Sequence, residues 1–583
     1  MDRWITDTEI SPRFPWYTRA NADEVGPDPF SPLGWSLGWM KGCVPGVADG
    51  YVRFGVLDPD EYALQPPEVF GNWGGYFYNQ LSLPRMMGCR MPGATPAAID
   101  QAYFGDHPGV PPYEPHPDDE NEAHSATLAE TMGWVMSTDS FPAMDEGAAK
   151  ARRAVAERPD LGSLNDAQLV ARGRAMAQLT YEVWVPYCEV CLGASLGPGA
   201  VQAICAAVGR SEDAVKVLAA VGNIESAEAS FAMWDLSRLV KASPELTAAF
   251  DAGIEDLLAR LSTQAAAQPS SATAAFISGW QAMLAEHGHR GPNEWDMRAH
   301  SWTTKPTLAL SMLERLRFQS DDRSPYVARA AAASQREALS AELLEAVAGD
   351  PEASGTLQAG LRSAALFYSL RERGKGACIR VIHEGKLAFF ELGMRMVQRG
   401  IINDPQQVFM LLDAELDAFI ADPDSFASVI AERDVEFQHL HELEPPYIVG
   451  LKDGVPPISS WAARHGGASV TVAKAGEVLQ GAAGAQGVVT GRARIVLDPA
   501  HAGDLDPDDI MVAPTTDPSW TPLFLSVAGV IVNVGAVASH AAIVCRELGV
   551  PCAVSVVDAT KRIPEGATIT VDGSTGTVTI VSA

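Results

Sequence analysis

Apolar positions along the chain fall into three regimes. Over residues 1–125 they are interrupted by proline, glycine and aromatic residues and hold no long period. That pattern predicts loops, short helices and a few strands. From 126 to about 443 they recur at three- and four-residue spacing among Ala, Leu, Glu and Arg. Helices are predicted over 167–185, 212–240, 243–261, 272–287, 326–349 and 355–374. No fixed-period repeat is evident, so a solenoid is not favoured. Glu444-Pro445-Pro446 and Val455-Pro456-Pro457 then punctuate the chain. The Gly/Ala-rich stretch that follows, with Gly466-Gly467 and Gly481-Ala482-Ala483-Gly484, suits a mobile linker. From 487 onward, strand-like runs alternate with short helical ones. The predicted organisation is multi-domain. A mainly α-helical body comprises a loop- and aromatic-rich part over 1–125 and a helical part over 126–445. A linker over 446–486 and an α/β domain over 487–583 follow.

Composition narrows the partners. The 583 residues carry a formal charge of −30 and a pI near 4.7. Such a chain lacks the basic footprint that nucleic acid or an anionic membrane surface requires. Met1-Asp2-Arg3-Trp4 opens without the apolar segment of a signal peptide, and no uninterrupted apolar run reaches transmembrane length. Eight cysteines in a chain this long do not make a disulfide framework, and the cytoplasm is the expected compartment. Cys188-x-x-Cys191 reads as a pair of buried core cysteines, because no nearby second pair supplies the two further ligands zinc needs.

Two runs carry chemistry. The apolar, β-branched run 528–534 reads as a buried strand, ended by Gly535. Ser539 is placed to cap a short helix through Ala541, Ala542, Ile543 and Val544, with Gly549 and Pro551 as its stop. His540 thus stands at a helix N-terminus, where backbone N–H groups such as that of Ala541 favour an anion. A largely neutral imidazole there is a competent nucleophile for a phosphoryl group. Arg546 lies two turns on. The plain alternative is a histidine that caps or packs. The second run is Glu286-His287-Gly288-His289-Arg290-Gly291-Pro292-Asn293-Glu294-Trp295-Asp296. Arg290 suits bidentate contact with a phosphoryl group. His287 or His289 could take a proton from a hydroxyl, oriented by Glu294 or Asp296. The spacing matches no closed zinc pattern, and a solvated helix-to-loop junction is the alternative here. Trp16, Trp35, Trp39, Trp73, Tyr76 and Tyr78 either line a site for an apolar acceptor or form the core under the loops.

The segment 487–580 resembles the swivelling phosphohistidine domain of phosphoenolpyruvate-utilising enzymes. The resemblance rests on Gly487–Gly491 with its Arg-Ala-Arg, on the run from Ala513 to Pro522, on Ser539 to Pro551, and on Val571 to Gly576. Cys545 departs from the family's usual alanine, and Ala536 and Ala538 depart from its usual glycine and threonine or leucine. The resemblance implies that His540 is phosphorylated and that its domain carries the phosphate between two sites. The run from His287 to Glu294 with Trp302 is similar to the substrate domain of rifampicin phosphotransferases and large subunits of phenylphosphate synthases. So are Thr18–Val25, the Pro29-to-Trp35 run, Tyr76–Asn79, Arg371-Glu372-Arg373 with Lys375, Glu391–Gly393, and the Asp404-to-Phe409 run. This implies a phosphotransferase whose helical body binds a small, apolar or aromatic hydroxyl acceptor. His287, His289, Arg290 and Glu294 would join His540 in catalysis. Ser539, Ala541, Arg546, Arg371 and Lys375 would hold phosphate. Trp35, Tyr76, Tyr78 and Asp296 would meet the acceptor. The sequence shows neither an ATP-grasp domain nor a Gly-x-x-x-x-Gly-Lys-Ser/Thr loop. Cofactors are therefore expected not in this chain but on an ATP-grasp partner protein, which would hold ATP and Mg²⁺. A lyase or dehydratase acting through a transient phosphoester, and a silent binding or regulatory protein, are the alternatives. The oligomeric state stays open.

Overall fold

Helices form where the period predicts them, and they break where the backbone turns left-handed. The helix Ala272–His287 spans the predicted residues, with the Ser271 hydroxyl accepting the Ala274 N–H at 3.2 Å. The 212–240 period divides into Asp213–Val217 and Glu225–Ala242, because Ala220 and Gly222 take φ of 46° and 81°. The 243–261 period divides into Pro244–Asp251 and Leu257–Ala267 about Gly253 and Asp256, at φ 101° and 54°. Asp166–Gly193 opens on a capping box between Asn165 and Gln168. Pro325–Ala346 is a single helix. The helix expected to end at Gly374 instead runs from Pro351 to Gln398. Gly374 is not its stop signal. A Cβ there would lie 2.5 Å from the Tyr187 ring, so the glycine admits an aromatic neighbour.

The computed structural model describes residues 2–104, 109–222, 224–464, 470–499, 502, 505–536 and 539–582. Val537, Ala538 and Gly466-Gly467 lie outside them. The chain divides into two units that interleave in sequence. One comprises Met1–Leu196, Trp295–Ala299 and Arg373–Ser469, and the other Gly197–Glu294, His300–Glu372 and Val470–Ala583.

In the first unit β1 (Trp16–Thr18), β2 (Phe70–Trp73) and β3 (Tyr76–Gln80) join a later strand in the order β2-β3-β1-β5. β4 (Leu443–Glu444) pairs with β6 (Ala462–Ala463), and β5 is Ile448–Gly450. Gly34, Gly38, Gly42, Gly46 and Gly50 recur every fourth residue through a ten-residue π-helix, Gly34–Cys43, and the α-helix Val44–Phe54. A four-residue step overshoots an α turn and undershoots the wider π turn, so the mixed winding keeps the glycines on one face. That face meets Asp166–Gly193 at Thr180, Trp184 and Cys188. Cβ atoms on Gly42 and Gly46 would fall 2.9 and 2.6 Å from the Cβ atoms of Thr180 and Trp184. Cys188 is buried here, but Cys191, expected in the core, is exposed. By length and composition one helix, Asp166–Ala207, is long and apolar enough to cross a membrane, although no uninterrupted apolar run does so. Its Thr180, Trp184 and Cys188 pack on the glycines.

The second unit combines the helices of 197–372 with an eight-stranded sheet. Its strands are β7 (Val478–Gln480), β8 (Ala482–Ala485), β9 (Val488–Ile495), β10 (Asp509–Ala513), β11 (Gly529–Val532), β12 (Cys552–Val554), β13 (Thr568–Asp572) and β14 (Thr577–Ser582). Their order is β7-β14-β13-β9-β10-β11-β12-β8. β9 to β12 are parallel, and the flanking strands are antiparallel. β7 and β8 therefore lie within the stretch read as linker. β10 and β11 are buried on both faces, as parallel strands require. Ile510, Val512 and Ile531 enter one core with β13 and β14. Met511, Ala513, Val530 and Val532 enter the other, which they share with Trp280, Trp302 and Leu313 from the helices. The 197–372 helices thus cover one face of the sheet.

Candidate active site

β10 and β11 run parallel with Ala513 opposite Val532, so their loops leave the sheet side by side at the C-terminal edge. That edge is where α/β sheets place ligands. The loop after β11 leads into the helix His540–Leu548, which Gly549 ends at φ 68°. The loop after β10 supplies Thr516 and, past a 3₁₀ turn Pro518–Trp520, Thr521. The two hydroxyls bracket the imidazole. Thr516 Oγ1 lies 3.3 Å from His540 Nδ1, and Thr521 Oγ1 lies 3.1 Å from Nε2. A hydroxyl can give or take a proton, so this frame fixes the ring's plane and leaves its tautomer open. The Phe524 ring sits 6.1 Å away, and His540 is 1% exposed. The N–H groups of the first helical turn, Ala541's included, have no intrahelical acceptor by position. Ser539 occupies the N-cap, but its hydroxyl makes no capping bond, contrary to expectation. Among the described residues it is buried without a hydrogen-bond partner, as is the Thr515 hydroxyl.

The second run forms a turn behind Ala272–His287. Thr303 returns its N–H and hydroxyl to the Gly288 carbonyl, both at 3.0 Å, and Trp302 N–H reaches the Arg290 carbonyl at 2.7 Å. A side chain at Gly291 would strike the His300 carbonyl, so only glycine fits. Arg290 and Glu294, each 1% exposed, pair at 3.1 Å. Among the described residues the Nε and Nη2 of Arg290 have no hydrogen-bond partner. A buried guanidinium with two open donors is a place for an anion. His287 and His289 are buried in the same turn. The turn meets the β10 loop directly, where Asn293 N–H donates to Asp517 Oδ2 at 3.3 Å. Asp517 Oδ1 accepts from the Ser519 N–H and hydroxyl at 2.7 and 2.5 Å. The structure therefore joins His540 and its cap to the turn of His287, His289, Arg290 and Glu294.

The other candidates are distributed more widely. Arg546 is buried on the His540 helix, and none of its guanidinium nitrogens has a hydrogen-bond partner among the described residues. Arg371 lies in the same unit and sits 3.6 Å from Glu372. Lys375, Trp35, Tyr76, Tyr78 and Asp296 belong to the first unit. There Trp35 stacks on Trp39 at 5.8 Å. Tyr76 donates to the carbonyls of Leu440 and Leu443, and Tyr78 to that of Pro446. Asp296 Oδ1 accepts the Ser31 hydroxyl at 2.7 Å and its N–H at 3.2 Å, and burial raises its carboxyl above the usual range. Thr516, Asp517 and Thr521 lie in the 513–522 run that carries the resemblance, and Asn293 in the 286–296 run, but the sequence reading names none of them as a site residue. For Thr516 and Asp517 the local signal is a polar run directly after an apolar strand.

Residues 505–576 match the mobile domain of PEP-utilising enzymes, and residues 189–372 match the fourth domain of rifampicin phosphotransferase. Two parts of the chain are thus similar to domains of PEP-utilising enzymes, and this supports placing it among them. It is 29% identical over 601 residues to an uncharacterized protein of Mycobacterium tuberculosis, covering 99% of this chain and 62% of that protein. It is 28% identical over 301 residues to a rifampicin phosphotransferase of Bacillus subtilis, covering 51% of this chain and 34% of that enzyme. A rifampicin phosphotransferase of Streptomyces sviceus is 29% identical over 370 residues, covering 63% and 41%. The chain thus spans about three fifths of the Mycobacterium relative and a third to two fifths of the rifampicin phosphotransferases.

Proposed function

We propose that this chain is a phosphohistidine-dependent phosphotransferase component that carries a phosphoryl group on His540 and delivers it to the hydroxyl of a small acceptor. The observation that carries the reading is the meeting of His540, held between Thr516 and Thr521, with the Arg290 turn through Asn293 and Asp517. A neutral imidazole nitrogen attacks phosphorus, and the donor's leaving group departs with the electron pair. Helix N–H groups, the Ser539 hydroxyl and the open nitrogens of Arg290 suit the phosphoryl oxygens. His287 or His289 takes the acceptor's hydroxyl proton as that oxygen attacks phosphorus, and the P–N bond breaks with its electron pair returning to the His540 imidazole. The relatives named rifampicin phosphotransferase support an organic acceptor. Burial of His540 beneath helices of the same unit supports a domain that must part from them to be loaded.

ATP and Mg²⁺ fit this site poorly. Asp517, the carboxylate beside His540, already accepts from Ser519 and Asn293, and Glu294 is paired with Arg290, so both carboxylates are already engaged. We therefore place nucleotide and metal on an ATP-grasp partner. The test is intact-mass analysis after incubation with ATP and Mg²⁺, with and without lysate of the source organism, beside His540→Ala. One acid-labile phosphate on the wild type, only with lysate, is expected. Labelling of His540→Ala would refute the carrier role, and labelling without lysate would refute the partner requirement.

A further inference from the structure

In the first unit, far in sequence from the residues considered above, His124 stands against two carboxylates. It lies in the first turn of the helix Glu122–Ser137, and its side chain is 8% exposed. Its Nδ1 lies 2.9 Å from the Gly55 carbonyl. A carbonyl only accepts, so Nδ1 carries a proton, and in the neutral tautomer this leaves the ring's lone pair at Nε2. That lone pair faces Glu61 Oε2 at 3.2 Å and Asp58 Oδ2 at 3.4 Å. Three electron-rich atoms converge there, all within 4.8 Å of one another.

An imidazolium would relieve the repulsion, but the geometry does not suit it. Nε2 makes no hydrogen bond although both oxygens are close enough. At these distances direction is what fails: neither carboxylate oxygen lies along the ring nitrogen's axis. A tetrahedral ion on that axis, with bonds of about 2.0–2.1 Å, places its ligands about 3.3 Å apart. The two observed separations bracket that figure. A carbonyl on the far ring nitrogen is also what metal-bound histidines use to fix their tautomer. Arg90 backs the arrangement. Its Nη2 donates to Glu61 Oε1 at 2.6 Å and its Nη1 to the Val56 carbonyl at 2.6 Å, holding the carboxylate in place. Glu61 Oε2 also accepts the Asp58 N–H at 2.8 Å and Arg90 Nη1 at 2.9 Å. Coordination would displace the longer of these and leave Arg90 on Oε1.

We propose that Asp58, Glu61 and His124 form a binding site for a divalent transition-metal ion, Zn²⁺ by preference, with water in the fourth position. One imidazole and two carboxylates favour zinc over Mg²⁺, which demands six oxygens. Asp58 is exposed, so the ion has an open path. Its consequence is mechanical: it ties the 55–61 loop to the start of Glu122–Ser137.

The test is calorimetric titration of the full chain, stripped of metal, with ZnCl₂ and separately MgCl₂, followed by thermal melts. One equivalent of Zn²⁺ with a raised melting temperature, and no comparable Mg²⁺ binding, is expected. His124→Gln should weaken Zn²⁺ about tenfold or more. Asp58→Asn, on an exposed side chain, should do the same and keeps the test valid if His124→Gln is unstable. Absence of stoichiometric Zn²⁺ binding, or undiminished binding by Asp58→Asn, overturns the site.

Discussion

Asp517→Asn tests whether the two motifs are held together as the structure has them, at constant volume. Asparagine can keep its carbonyl oxygen toward the Ser519 N–H and hydroxyl, which preserves the turn at Pro518–Trp520. Its NH₂ then faces the Asn293 N–H, donor against donor, where Oδ2 had accepted at 3.3 Å. The lost bond involved an ionised acceptor, and its length puts it near the lower end of about 1.5–3 kcal/mol. Leaving a part-buried N–H without an acceptor adds about 1 kcal/mol. The sum, about 2–3 kcal/mol, corresponds to roughly 30- to 150-fold in an opening equilibrium. Hydrogen exchange by mass spectrometry reads it directly. Peptides covering 288–300 and 514–524 should lose protection by that factor, while the β10 and β11 peptides hold theirs. Asp517→Ala should lose the Ser519 bonds as well and melt lower. Unchanged exchange over 288–300 in Asp517→Asn would show that Asn293 and Asp517 do not couple the motifs.

Arg290→Met leaves Glu294 buried without its ion-pair partner, and chemical denaturation should show a loss of about 3–5 kcal/mol. Adding Glu294→Gln should recover much of it, and if it does not, the pair is not what is being measured. Gly46→Ala drives a methyl to within 2.6 Å of the Trp184 Cβ, and overpacking of this kind should cost about 1–3 kcal/mol in a thermal melt. Burial lifts the Glu189 carboxyl from 4.5 to about 7, so the folded chain holds a proton that the unfolded chain has released. Its contribution to stability therefore falls as pH rises from about 4.5 to 7, by about 2 kcal/mol after allowing for partial solvent access. Glu189→Gln should flatten that limb of the stability–pH curve and melt higher than wild type at pH 8.

The sequence by itself determined the local signals. The strand and the helix around His540 were legible because each rests on neighbours within a few residues: β-branched residues, Gly535 and Gly549. Ala272–His287 was legible for the same reason. Tertiary structure decided what depended on distant partners. Gly374 reads locally as a stop, yet it continues a helix because Tyr187 needs the space. The 286–296 run reads as one constellation, yet the chain parts it after Glu294 and commits Asp296 to Ser31. Tyr76 and Tyr78 look like lining residues until their hydroxyls are found on backbone carbonyls. The frame around His540 was hidden because Thr516 and Thr521 reach it only when β10 and β11 pair in parallel register. A period reports which face is buried, whereas the partner of a polar group is set by contacts across hundreds of residues that no local pattern encodes.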